Sequence, residues 1–409
     1  MSANLHAAHG PSRAEVIANL RYEPVSVVGT KTAAVAVVLI VLGVVGFAQG
    51  ILRGETMTVW GAYLVNLLYF AGIAQGAVVA SAAYYLTQGR WAGTTQYRLA
   101  EAFTPFLWLV FILFWGLYFG RGALFPWVHH PNPHQAAYLN TPFLFARDGL
   151  GFLIMAALST VFVSYSRGER ARRWTLEPET IDFPPPVIWR VAPALAIAYV
   201  FIYSMLAIDL VMSLAPVWRS TLFGWFFFAG AFWSGIVTMA FCAVILRGQL
   251  APGNTFTKPK VLHDLGIFVF AFSVFWVYLL FAQYIVIWYG DLPVETFFIV
   301  QRVHHMPWSP LSVACVILIF IIPFIVLMSV RAKKTPAILG TVALLGMIGM
   351  WLERYVLVVA SLSLDAIPFG LTQFLITLGF LGAFILCAIP GLNRVATAAS
   401  AGEPVGDDV

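Results

Sequence analysis

Residues 262–296 read LHDLGIFVFAFSVFWVYLLFAQYIVIWYGDLPVET. The run 262–289 contains one acidic residue, Asp264, and neither Lys nor Arg, and it outlasts the roughly 20 apolar residues that an α-helix needs to cross a bilayer. Comparable runs lie near 32–52, 59–86, 99–119, 142–166, 190–214, 220–247, 308–330, 335–361 and 367–389. Asp365 and Pro368 divide the last two from what is otherwise a continuous apolar stretch. The chain therefore reads as an all-α membrane protein of about ten transmembrane helices, and an even number returns both termini to one side.

Composition points the same way. Of 409 residues 61% are hydrophobic and 10% charged, against roughly 25% charged in soluble domains, which excludes a soluble fold. The net charge of +5 is small and its basic residues are dispersed, so nucleic-acid binding is not indicated. Cys242, Cys315 and Cys387 all fall in apolar runs, where they read as packing residues and not as a disulfide or metal set.

Lys and Arg set the orientation. The N-terminal arm, alternate loops and tail hold most of them, including Arg13, Arg21, Lys31, Arg90, Arg98, Arg167, Arg170, Arg172, Arg173, Lys258, Lys260, Arg331, Lys333 and Lys334. The other side has Arg53, Arg121, Arg147, Arg219, Arg302 and Arg354. By the positive-inside rule both termini are expected in the cytoplasm, with loops near 53–58, 120–141, 215–219, 290–307 and 362–366 facing outward. The first 31 residues are polar and read as a retained cytoplasmic arm, not a secretory signal; residues 396–409 are expected to be a disordered cytoplasmic tail.

Shifting the sequence by 163 residues aligns the second span with the sixth: Gly61 with Gly224, Gly72 with Gly235, Ile73 with Ile236, Ala77 with Ala240, Ala80 with Ala243, and, further on, Glu101 with Asp264. The match fits a duplicated four-helix unit, spans 2–5 and 6–9, flanked by one helix at each end. Small residues that let membrane helices approach closely give the same glycines a second explanation. The expected organisation is an arm at 1–31, a first helix and loop at 32–58, bundles at 59–214 and 215–361, and a last helix at 362–395.

None of the eight histidines, His6, His9, His129, His130, His134, His263, His304 and His305, lies near mid-span, where the axial ligands of a membrane haem would stand. No P-loop, GxGxxG turn or cysteine cluster is present, so any redox centre is expected on a partner. The outer-loop histidines read as solvated or partner-contacting surface, with no metal site.

Ionisable groups inside spans are costly and so become functional candidates. Asp209 stands on span 5 and Glu353, beside Arg354, on span 9, roughly 10 Å and roughly 6 Å to the outer side of the midplane. Such a carboxylate either exchanges protons with a quinol hydroxyl or a water chain, or is locked to an arginine as a structural pair. Adjacent residues such as Glu353 and Arg354 point about 100° apart and need not pair. Asp148, with Arg147, belongs either to the same outer pocket or to an interfacial ion pair at the helix end. On the inner side Glu101, His263 and Asp264 form either a cytoplasmic proton inlet or carboxylates favoured by helix N-termini. Tyr63, Asn66 and Tyr69 share one face of span 2 and suit a quinone pocket; interhelical hydrogen bonding without a ligand is the alternative.

The stretch DLVMSLAPVWRSTLFGWFFFAGAFWSG (209–235), together with 262–296, resembles the NrfD/PsrC-like membrane subunits, most closely those of bacterial alternative complex III, over nearly all of residues 30–390. The resemblance rests on extended helical stretches and not on a compact motif. It implies a subunit of a quinol:cytochrome c oxidoreductase in the bacterial inner membrane, of the smaller, ActF-type class. It also implies partners: iron–sulfur and c-type cytochrome subunits carrying the clusters and haem c, and a second NrfD-like membrane subunit whose pocket faces the cluster. Quinol or menaquinol is the implied ligand, and Asp209 matches the family's outer-side acidic residue on the last helix of the first bundle. A stand-alone proton-coupled transporter and a purely structural anchor for redox subunits are the competing expectations. A parallel repeat without matching broken half-helices speaks against the transporter.

Overall fold

The computed structural model describes residues 28–87, 94–175, 187–250 and 254–400. Arg13, Arg21, Arg90 and most of the N-terminal arm lie outside them, as do the side chains of Arg170, Arg172 and Arg173. Among the described residues ten helices are long and apolar enough to cross a membrane: Thr30–Leu52, Thr56–Leu86, Gln96–Leu124, Thr141–Arg167, Ile188–Leu214, Phe223–Gln249, Pro259–Gly290, Trp308–Leu327, Pro336–Leu362 and Leu371–Thr397, spans 1 to 10 in chain order. The ends meet: Val28 N–H donates to Asn393 Oδ1 at 2.9 Å, so the start of span 1 and the end of span 10 share one face of the bundle, here the terminal face.

Span 2 is the hub. It packs against spans 3, 5, 6, 9 and 10, and its most apolar window is 100% buried within the protein. Span 1 presents Val37, Val38, Val41 and Val44 outward, with only 22% of its window buried, as befits a helix facing lipid. Hydrocarbon is as apolar as leucine, so hub and partners are held by close packing and not by a hydrophobic drive. Spans 2 and 6 cross where a Cβ on Gly76 would collide with the backbone of Ala231 and Phe232, and one on Gly235 with Gly76 and Ala77. Gly72, which the 163-residue shift aligns with Gly235, sits in the same crossing against Ala231. The flanking helices are neighbours too: Gly43 of span 1 lies against Gly379 of span 10.

Three local features depart from the sequence expectation. The segment 290–307, expected as a loop, contains a helix, Pro293–Val303, with Phe298, Gln301 and Arg302 buried and Val294, Phe297 and Val300 exposed. Pro293 at its first turn sacrifices no helical hydrogen bond there, and Glu295 suits the positive end of the dipole. The last helix runs on to Ser400, so residues 396–400 are not part of a disordered tail: Ala396 and Ala399 are buried, and alanine is the best helix former. Span 8 widens into a π-turn at Ile317–Ile321 just before Pro323, whose missing N–H and ring exclude the regular α-helical bond at that point.

Gly235→Val is expected to cost about 1–3 kcal/mol through overpacking, or more, since backbone is what it strikes. Gly248→Ala, where nothing lies within 4 Å, is the control and should leave the thermal denaturation midpoint in detergent unchanged or slightly raised. Equal midpoints for both variants would mean that the crossing does not hold the bundles together.

Candidate functional site

At the face opposite the termini, spans 4 and 5 bring three charged groups together. Asp209 ends span 5 just before a tight turn, Met212–Leu214, in which Ser213 Oγ donates to the Asp209 carbonyl at 2.5 Å. Arg147, in the opening turns of span 4, meets Asp209 Oδ2 with Nε at 2.8 Å and Nη2 at 2.7 Å. Asp148 is fully buried, 4.0 Å from Arg147 Nε. The Arg147 guanidinium lies over the rings of Tyr138, at 3.9 Å, and Phe143, at 4.6 Å. Burial, followed by the Asp209 carboxylate, pushes the Tyr138 phenol up to about 12, so it stays a donor at neutral pH. The structure thus brings Arg147, Asp148 and Asp209 together at the face opposite the termini, and the ion pair joins two helices. The group has one cation for two carboxylates.

Glu353 and Arg354 lie elsewhere, in the second bundle. Arg354 Nη1 reaches both Glu353 oxygens, at 2.8 and 3.1 Å, while Nη2 donates to the Phe227 carbonyl at 2.9 Å and the guanidinium covers the Phe227 ring at 3.9 Å. The two side chains leave the helix in different directions, but an arginine is long enough to curl back. No hydrogen bond or ion pair joins this pair to the Arg147 group among the described residues, so the two buried carboxylate sites are distinct.

Glu353 lines a cavity of about 540 Å³ enclosed by spans 6 to 9 and the helix Pro293–Val303. Its walls are mostly aromatic and aliphatic: Phe223, Phe226, Trp276, Phe281, Phe298 and Leu357 among them. Gln283, Tyr284, Arg302, Ser312 and Glu353 are its main polar members, and the π-turn contributes Ile317 and Ile321. Volume and lining match a site for a small, largely apolar ligand. Arg302 secures the lid helix: Nη2 donates to the Leu357 carbonyl at 2.9 Å and to Ser361 Oγ at 2.6 Å, and Nη1 to the Phe298 carbonyl at 3.1 Å. Burial pushes the Arg302 guanidinium down to about 9, which still leaves it charged at neutral pH. In the sequence Arg302 is one of six basic residues assigned to the outer side, and the apolar run Phe297–Val300 just before it is the only hint of a buried helix.

The remaining candidates are engaged within the protein. Tyr63 donates to the Leu113 carbonyl at 2.7 Å and Tyr69 to the Met347 carbonyl at 2.9 Å. Asn66 donates to the Ala62 carbonyl and Thr377 Oγ1 and accepts from Trp351 Nε1 at 3.0 Å. Tyr63 also borders a separate, almost wholly apolar cleft of about 240 Å³ between spans 1, 3 and 10, which Asn66 and Tyr69 do not line. On the terminal face, buried Glu101 accepts from Ser166 Oγ at 2.6 Å and lies 3.7 Å from Arg167. His263 Nδ1 is 3.4 Å from its neighbour Asp264. Ser81 of span 2 also reaches Glu101, at 3.4 Å, whereas Asp264 acts electrostatically on Tyr84, so both carboxylates border the same end of the hub helix.

No protein-family model matches the chain, and neither does any curated protein.

Replacing Arg147 with Met strands two buried carboxylates and is expected to cost about 3–5 kcal/mol, against a clearly smaller loss for Asp148→Asn; denaturation midpoints in detergent measure both. The raised Tyr138 value has its own signature. Its stabilising contribution is complete below pH 10.0, the ordinary value, and disappears as pH rises through about 12; Tyr138→Phe should flatten that alkaline loss of stability.

Proposed function

We propose that this chain is an integral membrane subunit of a quinol-oxidising respiratory complex of the alternative complex III type, and that the cavity of its second bundle is its quinone-facing site. The cavity carries the proposal. It is walled by aromatic rings that suit a planar head group, bordered by lipid-facing residues such as Phe281 and Val313 that suit an isoprenoid tail, and furnished with a few polar side chains. The resemblance of 209–235 and 262–296 to NrfD/PsrC-like subunits supports the same reading. In it, haem c and iron–sulfur clusters on partner subunits take up the electrons that quinol releases.

The protein's own residues bind, orient and receive protons. Aromatic faces pack the ring and exclude water. Glu353, already balanced by Arg354, is the carboxylate nearest the head group and the first acceptor for a quinol proton. Arg147, Asp148 and Asp209 form a second proton-holding group in the other bundle, and Glu101 with Asp264 serve the opposite face. With Lys and Arg concentrated on the terminal face, that face is cytoplasmic in this proposal and the cavity lies toward the outer side.

Mild solubilisation from the native membrane should recover the chain with c-type haem and iron–sulfur proteins. In that complex Glu353→Gln is expected to lower quinol-dependent cytochrome c reduction by about 10²-fold or more, at unchanged haem content. Recovery as a lone, colourless protein, or full turnover in the variant, would contradict the proposal.

A further inference from the structure

The cavity is closed by spans 6 and 9 and open between spans 7 and 8. Its lining residues on spans 6 and 9 are shut in: Phe226 is 3% exposed, Glu353 4% and Leu357 7%, so facing the cavity by itself uncovers little. On spans 7 and 8 the lining residues have a second, open side, with Phe281 59% and Val313 51% exposed. Tyr284, Ile317 and Ile321 line the cavity and are exposed as well. Helix packing explains the opening. Spans 7 and 8 pack together at the π-turn Ile317–Ile321 and at Ile322–Leu327, whereas the first part of span 8, Trp308–Val316, packs against span 9 and the lid helix. The two helices therefore part toward the end that the lid helix covers, and the π-turn forms the foot of the gap. The sides of membrane-spanning helices meet hydrocarbon, and the gap is lined accordingly: of its five exposed residues only Tyr284 has a polar side-chain atom. Arg302 and Glu353, the charged residues of the lining, are buried.

We propose that the cavity is entered sideways from the lipid, through the gap between spans 7 and 8, by a ligand that goes in head group first and leaves its isoprenoid tail between the two helices. This rests on the quinone-facing reading of the cavity. The direction follows from the lining. Glu353 belongs to the closed side, while Phe281, Val313, Ile317 and Ile321 stand at the opening, so a polar head group and an apolar tail each meet a like surface only in this orientation. A quinol dissolved in the bilayer then reaches Glu353 without passing through water. Contacts with the tail are the same before and during the chemistry at the head group, so narrowing the gap weakens binding and leaves the chemical step alone.

Turnover of the intact complex in proteoliposomes, with cytochrome c as acceptor and either an isoprenoid-tailed or a tailless quinol as donor, tests this. Val313→Trp and Ile317→Trp each fill the gap from its lipid side. Either should raise KM for the tailed quinol several-fold at unchanged kcat and haem content, with a smaller rise for the tailless one; two positions are used in case one variant does not assemble. Ile325→Trp is the control, on the same span, 67% exposed and outside the cavity wall, and should match the unsubstituted complex. Gap variants that shift the tailed-quinol KM no more than Ile325→Trp does would overturn the lateral entrance, and the quinone site would still stand if Glu353→Gln lowers turnover. Equal rises for tailed and tailless quinol would overturn the placement of the tail. Full turnover in Glu353→Gln would overturn the quinone reading itself.

Discussion

Everything in this protein is arranged around the crossing of spans 2 and 6, where glycines let two backbones touch. In water such a contact would be incidental to burial of apolar surface; in lipid, close packing is what makes the helices associate. Because span 2 passes through the middle of the protein, its polar side chains have to find partners inside. Gln75 donates to Ser159 Oγ at 2.9 Å, Asn66 is held by spans 9 and 10, and Tyr69 is bonded to span 9. These side chains of the hub are thereby engaged within the protein. The room for a ligand lies away from it, in the second bundle, where spans 7 and 8 border lipid and a π-turn interrupts the regular helix.

That division separates the charged groups by task. The terminal-face lysines and arginines set orientation in the proposed topology. The buried groups fall into two distinct sites: an interhelical ion pair with a surplus carboxylate in the first bundle, and a neutralised Glu353–Arg354 pair beside a cavity in the second. Arg302 is of a third kind, a charged lid residue bonded to carbonyl and hydroxyl oxygens and to no carboxylate among the described residues. It both closes the cavity and gives it its sign.

The spans, the even count and the close approach of the repeated glycines were legible because they depend on local runs and small residues. The union of Arg147, Asp148 and Asp209 was legible as an alternative, since positions near the same ends of consecutive spans meet in any antiparallel pair. The pairing of Glu353 with Arg354 was not, because helical geometry fixes the Cα–Cβ direction and not where a long side chain finishes. Nor was the cavity, whose wall is assembled from four spans and a short helix and whose decisive residue, Arg302, looks in sequence like any loop arginine. The hydrogen bonds of Tyr63, Asn66 and Tyr69 depend on Leu113, Met347, Trp351 and Thr377, partners far away in sequence.

A photoreactive azido-quinone maps the site most directly. Irradiated with the intact complex and digested, it is expected to leave its label on peptides of this chain that include Trp276 to Tyr284, Phe298 to Val303 or Ser312 to Ile321, and an excess of unmodified quinone should suppress that label. Labelling confined to the partner subunits, or to the Tyr63, Asn66 and Tyr69 face of span 2, would contradict a quinone site in the second bundle.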